Sequence, residues 1–186
     1  MARLAVFTSG SGSNFQAIAE KIIKTKHTIP CMICDRKKAY SFERAKNLGI
    51  KSYYVPYFGR TKESAEKDII EIIENEKIDI IALAGFMRLL SPQFVERYKN
   101  RIVNIHPSLL PKYPGTHAIE NSYASDDKKL GITVHYVDSG MDTGPIIRQE
   151  SFTRNLCEPI EEIEKKIHNL EYSTYWDVIE KILDSL

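Results

Sequence analysis

Short apolar segments alternate with amphipathic stretches along most of the chain, and this alternation restricts the possible folds more than any other feature. The apolar segments are rich in Val, Ile, Phe and Tyr, which favour β-strands, whereas the stretches between them carry apolar residues at helical spacing. Strands separated by helices predict a mostly parallel sheet with helices on both faces. We therefore expect a doubly wound, Rossmann-like α/β fold.

The predicted strands and helices follow one another in a regular order. Strands are predicted at residues 4–7, 29–34, 52–55, 78–84, 101–106, 131–137 and 146–152, and helices at 15–24, 41–48, 61–75, from Ser91-Pro92 onwards, and 158–186. The helix at 61–75 is expected to bury a stripe of isoleucines, namely Ile69, Ile70, Ile72 and Ile73. No helix is predicted between the last two strands, so that edge of the sheet is expected to be mixed or antiparallel.

Composition and charge limit the classes of function. The 186 residues fit one domain, and the hydrophobic (42%) and charged (27%) fractions are close to globular averages. A net charge of +1 gives no reason to expect a nucleic acid or a membrane surface as partner. No apolar run approaches the roughly 20 residues that span a bilayer, and the N-terminus lacks a secretory pattern. The expected localisation is cytoplasmic.

The three cysteines include a C-x-x-C pair, Cys31 and Cys34, which raises the possibility of a redox site. The pair lies within a predicted strand, where residues three apart face opposite sides and lie about 10 Å apart. That distance is too long for a disulfide. Cys31 and Cys34 are therefore expected to belong to the core, and with Cys157 they form no disulfide framework.

In open parallel sheets, ligands bind at the carboxyl ends of the strands. This rule selects four segments of the chain, at residues 10–14, 86–90, 104–111 and 138–145.

The first of these segments is a glycine- and serine-rich turn before a helix, which suits a phosphate group. Ser11, Ser13 and Asn14 add polar side chains. A P-loop is excluded because no Gly-Lys-Ser/Thr sequence follows. A dinucleotide site would need a glycine where Phe15 stands, although Asp35 does end the second strand, so an NAD-dependent dehydrogenase stays open. A plain capped turn is the remaining alternative.

The segment at 104–111 begins with Asn104 and His106, which are two residues apart on a strand and therefore point to the same face. An amide donor beside an imidazole can bind a carbonyl oxygen as it becomes an oxyanion, and the imidazole can also move protons near neutral pH. The alternative is a strand-end histidine that only bonds to its own loop. The pairing and the position at the sheet edge favour a functional role.

The segment at 138–145 contains two aspartates among turn-forming residues. A carboxylate from this loop that faces His106 would orient the ring and stabilise its charged form. No serine or cysteine is placed as a nucleophile, which favours direct attack by the substrate. His117 and His135 are further candidates, although His135 lies within a strand and is expected to be buried structure. The histidines and cysteines show no metal-ligand spacing, so no metal is predicted.

Together these segments resemble the folate-dependent phosphoribosylglycinamide formyltransferase family over nearly the whole chain. The resemblance rests on Ser9-Gly-Ser-Gly-Ser-Asn14, Leu83-Ala-Gly-Phe-Met-Arg-Leu-Leu-Ser91, Asn104-Ile-His-Pro-Ser-Leu-Leu-Pro-Lys-Tyr-Pro-Gly115, Gly131-Ile-Thr-Val-His-Tyr-Val137 and Met141-Asp-Thr-Gly-Pro-Ile-Ile147. It implies a single formyltransferase domain over 1–186, with a phosphate-binding half at 1–100 and a folate-binding and catalytic half at 101–186. It also implies formyl transfer from 10-formyltetrahydrofolate to glycinamide ribonucleotide in purine (IMP) synthesis.

The resemblance assigns roles residue by residue. Asn104 and His106 would hold the formyl oxygen, and Asp142 would pass protons through water. Substrate binding is implied for the phosphate-loop residues Ser11, Gly12, Ser13 and Asn14, with Arg60, His117 and Glu171 as further substrate residues. The folate pocket is implied at Met87, Arg88, Leu89, Leu90, Val137, Asp138, Gly140 and Met141. The implied state is a monomer or homodimer with small-molecule substrates only.

The chain departs from the family pattern after Glu171. The family commonly has a His-containing segment that ends in Tyr-Pro, whereas Tyr172-Ser-Thr-Tyr-Trp176 stands here, and many members carry a longer tail. Related formyltransferases that act on methionyl-tRNA, and hydrolases of formyltetrahydrofolate, carry additional domains for which this chain has no room. A sugar-amine formyltransferase, a dehydrogenase and a non-catalytic binding domain remain as alternatives.

Overall fold

The computed structural model describes all residues from Met1 to Leu186. Its centre is one seven-stranded sheet with the order β3-β2-β1-β4-β5-β6-β7. The strands are β1 (Arg3–Thr8), β2 (Thr28–Cys34), β3 (Lys51–Tyr54), β4 (Ile80–Leu83), β5 (Ile102–His106), β6 (Lys129–Tyr136) and β7 (Ile146–Thr153). The pairs among β1–β5 are parallel, whereas β6 and β7 are antiparallel to their neighbours. The predicted doubly wound sheet with an antiparallel edge is confirmed.

Six helices connect the strands: α1 (Ser13–Ile22), α2 (Ser41–Asn47), α3 (Lys62–Asn75), α4 (Pro92–Arg97), α5 (Ala118–Tyr123) and α6 (Ile160–Asp184). Local capping explains two of the starts. The side chains of Thr61 and Ser91 accept hydrogen bonds from the backbone N–H groups of Ser64 and Phe94, respectively. Helix α5 was not predicted, because its six residues are too few to show a clear helical period. The other helices lie where the pattern placed them, within two residues at most ends.

Side chains that alternate along each central strand enter two separate hydrophobic cores, one on each face of the sheet. One core includes Phe15 and Ile18 of α1 and much of α6, and the other includes Ala65 and Ile69 of α3. In the predicted stripe of α3, Ile69 and Ile73 are buried, whereas Ile70 and Ile72 are only half-buried and lie at its border. The result is a three-layer α/β/α arrangement.

The C-x-x-C pair follows this alternation. Cys31 belongs to the core beneath α3, and Cys34 belongs to the core beneath α1 and α6. Both thiols are buried and free, so the predicted structural role is confirmed. No helix of the structure combines the length and apolar character needed to cross a lipid bilayer.

Helix α6 is fixed to the centre of the sheet by Tyr175, whose ring is fully buried. Its hydroxyl donates to the carbonyl oxygens of Leu83 and Val103, each at 2.9 Å. These carbonyls lie on β4 and β5, close to the carboxyl edge of the sheet. A single hydroxyl therefore ties the long C-terminal helix to the two strands that lead into the candidate site.

The strand order brings three of the four selected segments, those after β1, β4 and β5, to one edge of the sheet. The fourth, at 138–145, follows β6, which runs antiparallel to β5. The chain passes from β1 outwards to β3 and then returns to β4 on the other side of β1, so β1 and β4 flank the topological switch point. The carboxyl ends of β1, β4 and β5 open into the crevice where such folds bind ligands.

Candidate functional site

The turn after β1 presents a helix N-terminus without a side-chain cap. Gly12 adopts a left-handed conformation (φ 76°) before α1, and no side chain bonds to the first N–H groups of the helix. The first turn also carries no acidic residue. Unsatisfied N–H groups and the positive end of the helix dipole therefore face outwards, an arrangement that suits an anion. Helix α1 begins at Ser13, two residues earlier than predicted, so Ser13 and Asn14 lie within its first turn.

Gly12 has two reasons to be glycine. Its φ value is one that residues with a side chain rarely adopt, and an added Cβ would lie 2.7 Å from Ser41 Cβ on α2. The turn is thus packed directly against α2, and this close contact leaves no space for a side chain.

Two predicted substrate residues, Asn14 and Glu171, contact each other across the interface of α1 and α6. Asn14 Nδ2 donates to Glu171 Oε2 at 3.1 Å, and Glu171 is buried. His168 Nδ1 lies 2.9 Å from the same oxygen, and this hydrogen bond raises the pKa of His168 above its ordinary value despite partial burial. The Glu171 carboxylate therefore has a second partner, His168, which sequence analysis did not single out.

The centre of the site is the Asp142 carboxylate, on which several donors converge. Oδ2 accepts a hydrogen bond from Gly115 N at 2.8 Å and lies 3.3 Å from His106 Nδ1. Oδ1 accepts from Asn104 Nδ2 at 3.3 Å. The three residues predicted to be catalytic, which come from β5 and from a loop 36 to 38 positions later, are therefore in direct contact. No bridging water is needed between Asp142 and His106.

Asp142 is held in its charged form. Burial raises the pKa of a carboxyl group, but here the contact with His135, the Gly115 N–H group and the charge of His106 outweigh burial. The pKa of Asp142 consequently lies below its ordinary value. A carboxylate that is ionised at neutral pH can stabilise an imidazolium and can accept a proton.

The second nitrogen of His106 is fixed by the loop that follows β5. Nε2 lies 2.8 Å from the carbonyl oxygen of Tyr113, and because a carbonyl only accepts, Nε2 must carry a proton. Nδ1 lies 3.3 Å from Asp142 Oδ2, without the alignment of a hydrogen bond. His106 is therefore orientated through Nε2, while Nδ1 stays directed towards the site.

His135 is a member of this site that sequence analysis assigned to buried structure. It is 2% exposed, and it pairs with Asn104 across β5 and β6. Its Nε2 lies 3.1 Å from Asn104 Nδ2 and 3.5 Å from Asp142 Oδ1, while Nδ1 donates to the carbonyl of Tyr136. Only the sheet register could have revealed this contact, because the two residues are far apart in sequence.

Backbone strain is concentrated near the site. Five residues other than glycine have positive φ, and three of them, Tyr113, His117 and Asp142, lie in loops at the carboxyl edge of the sheet. Such conformations cost about 1 to 3 kcal/mol each and persist where the surrounding structure enforces them. For Asp142 the Gly115 N–H bond provides part of that enforcement.

The loop after β4 contains half of the predicted folate residues and is tied to the phosphate-loop side. Met87 N donates to Ser9 Oγ at 2.8 Å, and Arg88 Nε donates to Asp35 Oδ2 at 2.6 Å. Met87 and Leu89 expose 59% and 49% of their surface, whereas Leu90 is buried in the core beneath α3. Exposed apolar side chains beside polar groups are typical of a ligand-contact surface.

The loop between β6 and β7 is organised by Asp138. Its Oδ1 accepts hydrogen bonds from Gly140 N at 3.0 Å and from Thr143 Oγ1 at 2.8 Å. Met141, at the tip of the loop, is 56% exposed, and Val137, before it, packs against the core beneath α3. The loop therefore presents Asp142 on a turn that is fixed by its own side chains.

Two predicted substrate residues contact neither the phosphate loop nor the Asp142 cluster. Arg60 bonds to Asp68 Oδ2 and to the Ser64 carbonyl oxygen, both at 2.7 Å, near the start of α3. His117 precedes α5 with an exposed side chain, 3.4 Å from Glu120. Their roles stay predictions.

Two surface depressions, of about 400 and 220 Å³, are lined by none of the residues predicted to form the site. No group of three or more His, Cys, Asp or Glu side chains is arranged to hold a metal ion. The candidate site is therefore formed by loops and not by either depression. Its reactive groups are one amide, two imidazoles and one carboxylate.

Comparisons with known proteins point in one direction. The model of a family described as formyl transferase matches residues 2–179. Phosphoribosylglycinamide formyltransferase of Bacillus subtilis (strain 168) is 41% identical, over 98% of this chain and 95% of that protein. The Escherichia coli (strain K12) protein of the same name is 35% identical, over 97% and 87%. The crystal structure of glycinamide ribonucleotide transformylase 1 from Geobacillus kaustophilus aligns with a TM-score of 0.92 at 41% identity, over 98% of this chain and 99% of that chain.

Proposed function

The chain belongs to the family of phosphoribosylglycinamide formyltransferases, and on this basis we propose that it transfers the formyl group of 10-formyltetrahydrofolate to the amine of glycinamide ribonucleotide. The reaction is a step of purine (IMP) biosynthesis. The observation that carries the proposal is the convergence of Asn104 and His106 on the Asp142 carboxylate, at the same sheet edge as an uncapped helix N-terminus.

The proposed reaction is a direct transfer without a covalent enzyme intermediate. The unprotonated amine attacks the formyl carbon, so that a C–N bond forms, the formyl oxygen gains negative charge and the attacking nitrogen gains positive charge. The bond from the formyl carbon to N10 of the folate then breaks, and N10 takes up a proton. Overall, the formyl group moves from N10 of the folate to the amine, and one proton moves from the amine to N10, so atoms and charge balance.

We assign the stabilisation of the oxyanion to His106 and Asn104. In its protonated form His106 can direct its Nδ1–H group to the formyl oxygen, because Nδ1 has no aligned hydrogen bond with Asp142. The Asn104 amide nitrogen faces Asp142 and His135. Rotation of this amide directs its N–H groups to the formyl oxygen. One such donor is typically worth about 100- to 1,000-fold in rate.

Asp142 is the proposed proton acceptor. Its lowered pKa keeps the carboxylate ionised at neutral pH, 3.3 Å from Nδ1 of His106. As the attacking nitrogen becomes positive, the carboxylate stabilises it and removes its proton through a water molecule. The same residue thus supports the donor that binds the oxyanion and accepts the proton that the amine loses.

The phosphate end of one substrate and the folate are assigned to different loops around this centre. The phosphate of glycinamide ribonucleotide is proposed to bind the N–H groups and side chains at Ser11, Gly12, Ser13 and Asn14. Glu171, which contacts Asn14 and His168, is assigned to the glycinamide end. The folate is proposed to contact the loops at 87–90 and 137–141, where Met87, Leu89 and Met141 expose apolar surface.

A single assay with alternative acceptors tests the proposal. The protein is incubated with 10-formyltetrahydrofolate and either glycinamide ribonucleotide, water alone, or a nucleotide-linked amino sugar, and the release of tetrahydrofolate is followed together with the formylated product. Transfer is expected with glycinamide ribonucleotide only. Turnover only with the sugar would overturn the substrate assignment, and release of formate without any amine would indicate a hydrolase.

A dehydrogenase is not supported. Phe15 is fully buried where a dinucleotide site would need glycine, and Asp35, the candidate ribose ligand, is ion-paired with Arg88. Calorimetry with NAD provides the direct check, and no binding is expected.

A further inference from the structure

Helix α2 approaches the phosphate loop through a cation that the proposed mechanism does not use. Arg44 Nε donates to the Ser11 carbonyl oxygen at 2.9 Å, and its guanidinium also bonds to Gln16 Oε1 on α1. A weaker contact of 3.5 Å joins Nη2 to Ser11 Oγ. All of these acceptors are uncharged, so the positive charge of Arg44 is not neutralised by a carboxylate at this point of the structure.

A second bond from α2 reaches the preceding peptide unit. The backbone N–H of Ser41 donates to the Gly10 carbonyl oxygen at 3.2 Å, and the Ser41 hydroxyl accepts a hydrogen bond from Thr8 Oγ1 at 2.9 Å. Two consecutive carbonyl groups of the turn, those of Gly10 and Ser11, are therefore both directed towards α2.

The direction of these carbonyls determines the direction of the N–H groups that follow them. In a planar trans peptide unit the C=O bond of one residue points opposite to the N–H bond of the next. Holding the Gly10 and Ser11 carbonyls against α2 consequently turns the N–H groups of Ser11 and Gly12 away from α2. There they extend the row of free N–H groups at the start of α1, which forms an anion-binding concavity.

We propose that Arg44 is a positioning residue for phosphate binding: it holds the Ser11 carbonyl against α2, so that the Gly12 N–H group points to the phosphate, and it adds an unneutralised positive charge behind the turn. The inference rests on the proposed function, in which the substrate phosphate binds this turn. Gln16 supports the arrangement, because its Nε2 donates to Glu20 at 2.6 Å and its oxygen is thereby left facing Arg44.

Arg44 is placed to act through geometry as well as through charge. Its guanidinium bridges two acceptors on different segments, Ser11 of the turn and Gln16 of α1, and its Cζ lies 5.0 Å from the centroid of the Tyr40 ring. A lysine at this position would keep the charge, but a single ammonium group lacks the planar fork that bonds both acceptors. The variants R44M and R44K therefore separate the two contributions.

The test uses inorganic phosphate as the probe, without folate or amine. In the native protein, titration with phosphate is expected to shift the amide NMR resonances of Ser11, Gly12 and Ser13. The affinity for phosphate should fall about 10- to 100-fold in R44M, the range of one hydrogen bond to a charged group. It should recover only in part in R44K. K46M removes the same charge from an exposed position of α2 and should bind phosphate like the native protein.

Kinetics give the second readout. In R44M the KM for glycinamide ribonucleotide should rise by the same factor while kcat stays within about threefold of the native value, because Arg44 does not touch the reacting atoms. Phosphate affinity in R44M or R44K equal to the native affinity would overturn the proposal. If the native protein itself gives no phosphate-dependent shift at the turn, the phosphate assignment of the proposed function fails as well. Titration of the native protein with phosphate tests the phosphate assignment of the turn even if R44M does not fold.

Discussion

Replacement of Asp142 by asparagine changes one oxygen of the central carboxylate to an NH2 group and leaves the size of the side chain unchanged. Asparagine tolerates the left-handed backbone that Asp142 adopts, so the turn itself should persist. In the native protein the Asp142 carboxylate lies 2.8 Å from Gly115 N, 3.3 Å from Asn104 Nδ2 and 3.3 Å from His106 Nδ1. An amide has one acceptor oxygen, so whichever way it turns, at least one of these donors faces another donor.

The magnitude follows from that mismatch. A buried donor without an acceptor costs about 1 to 3 kcal/mol, which for a chain of this size corresponds to a decrease in Tm of about 2 to 12 °C. The catalytic loss is larger, because the variant lacks both the negative charge beside His106 and the proton acceptor. We expect kcat for formyl transfer to fall at least about 100- to 1,000-fold, the effect typical of one preorganised electrostatic group.

The pH dependence of the stability difference has a defined sign. The pKa of Asp142 is lowered in the folded protein, so its charge stabilises the fold above the unfolded pKa of about 4. This contribution is lost as the pH falls through the folded value. The difference in unfolding free energy between native protein and D142N should therefore be largest near neutral pH and should shrink below pH 4.

The assay is single-turnover formyl transfer with saturating glycinamide ribonucleotide, together with thermal unfolding. D177N provides the matched control, since it removes the same charge from a half-exposed position on α6 that contacts Arg148 at 3.7 Å. D177N should retain native turnover. Near-native turnover in a folded D142N variant would remove Asp142 from the mechanism, and loss of activity in D177N would mean that net charge rather than position causes the effect.

Three further perturbations test the framework around the site. G12A should lose most phosphate affinity and some stability, because its Cβ would lie 2.7 Å from another side chain in a strained backbone; phosphate titration and thermal unfolding check this. Y175F removes the hydroxyl that bonds one carbonyl of β4 and one of β5, so its unfolding free energy in urea should fall by about 1 to 3 kcal/mol. In the native protein only Cys157 is exposed, and burial together with the charge of Glu76 raises the pKa of the Cys31 thiol to about 12. A thiol reagent at pH 8 should therefore modify one cysteine, and rapid modification of Cys31 or Cys34 would contradict the described core.

The sheet could be predicted because each strand shows its own local signal. Ile80–Leu83 is apolar throughout and is covered on both faces, whereas most of β7 alternates half-buried and exposed residues at the antiparallel edge. Helix α5 could not be predicted, since six residues are too few to show a helical period. The residue before it, His117, also adopts a left-handed conformation. The strand order β3-β2-β1-β4 depends on long-range packing, which no local pattern encodes.

For the site, the sequence placed polar residues at strand ends but did not determine their contacts. Asn104 and His106 follow from the two-residue period of β5, and Asp142 entered through the family resemblance. His135 was missed because its role depends on the register between β5 and β6, which sets it opposite Asn104. Arg44 was missed because its partner, Ser11, is 33 positions away and the bond joins a side chain to a backbone carbonyl.

A crystal structure of the protein with glycinamide ribonucleotide and a folate analogue whose one-carbon group cannot be transferred tests the central claim most directly. The account predicts the phosphate on the turn at 11–14, the amine nitrogen about 3 to 3.5 Å from the carbon at the formyl position, and the oxygen on that carbon within hydrogen-bond distance of Asn104 and His106. A complex in which the Asp142 carboxylate lies beyond the reach of one bridging water from the His106 ring, or in which the one-carbon group binds elsewhere, would contradict it.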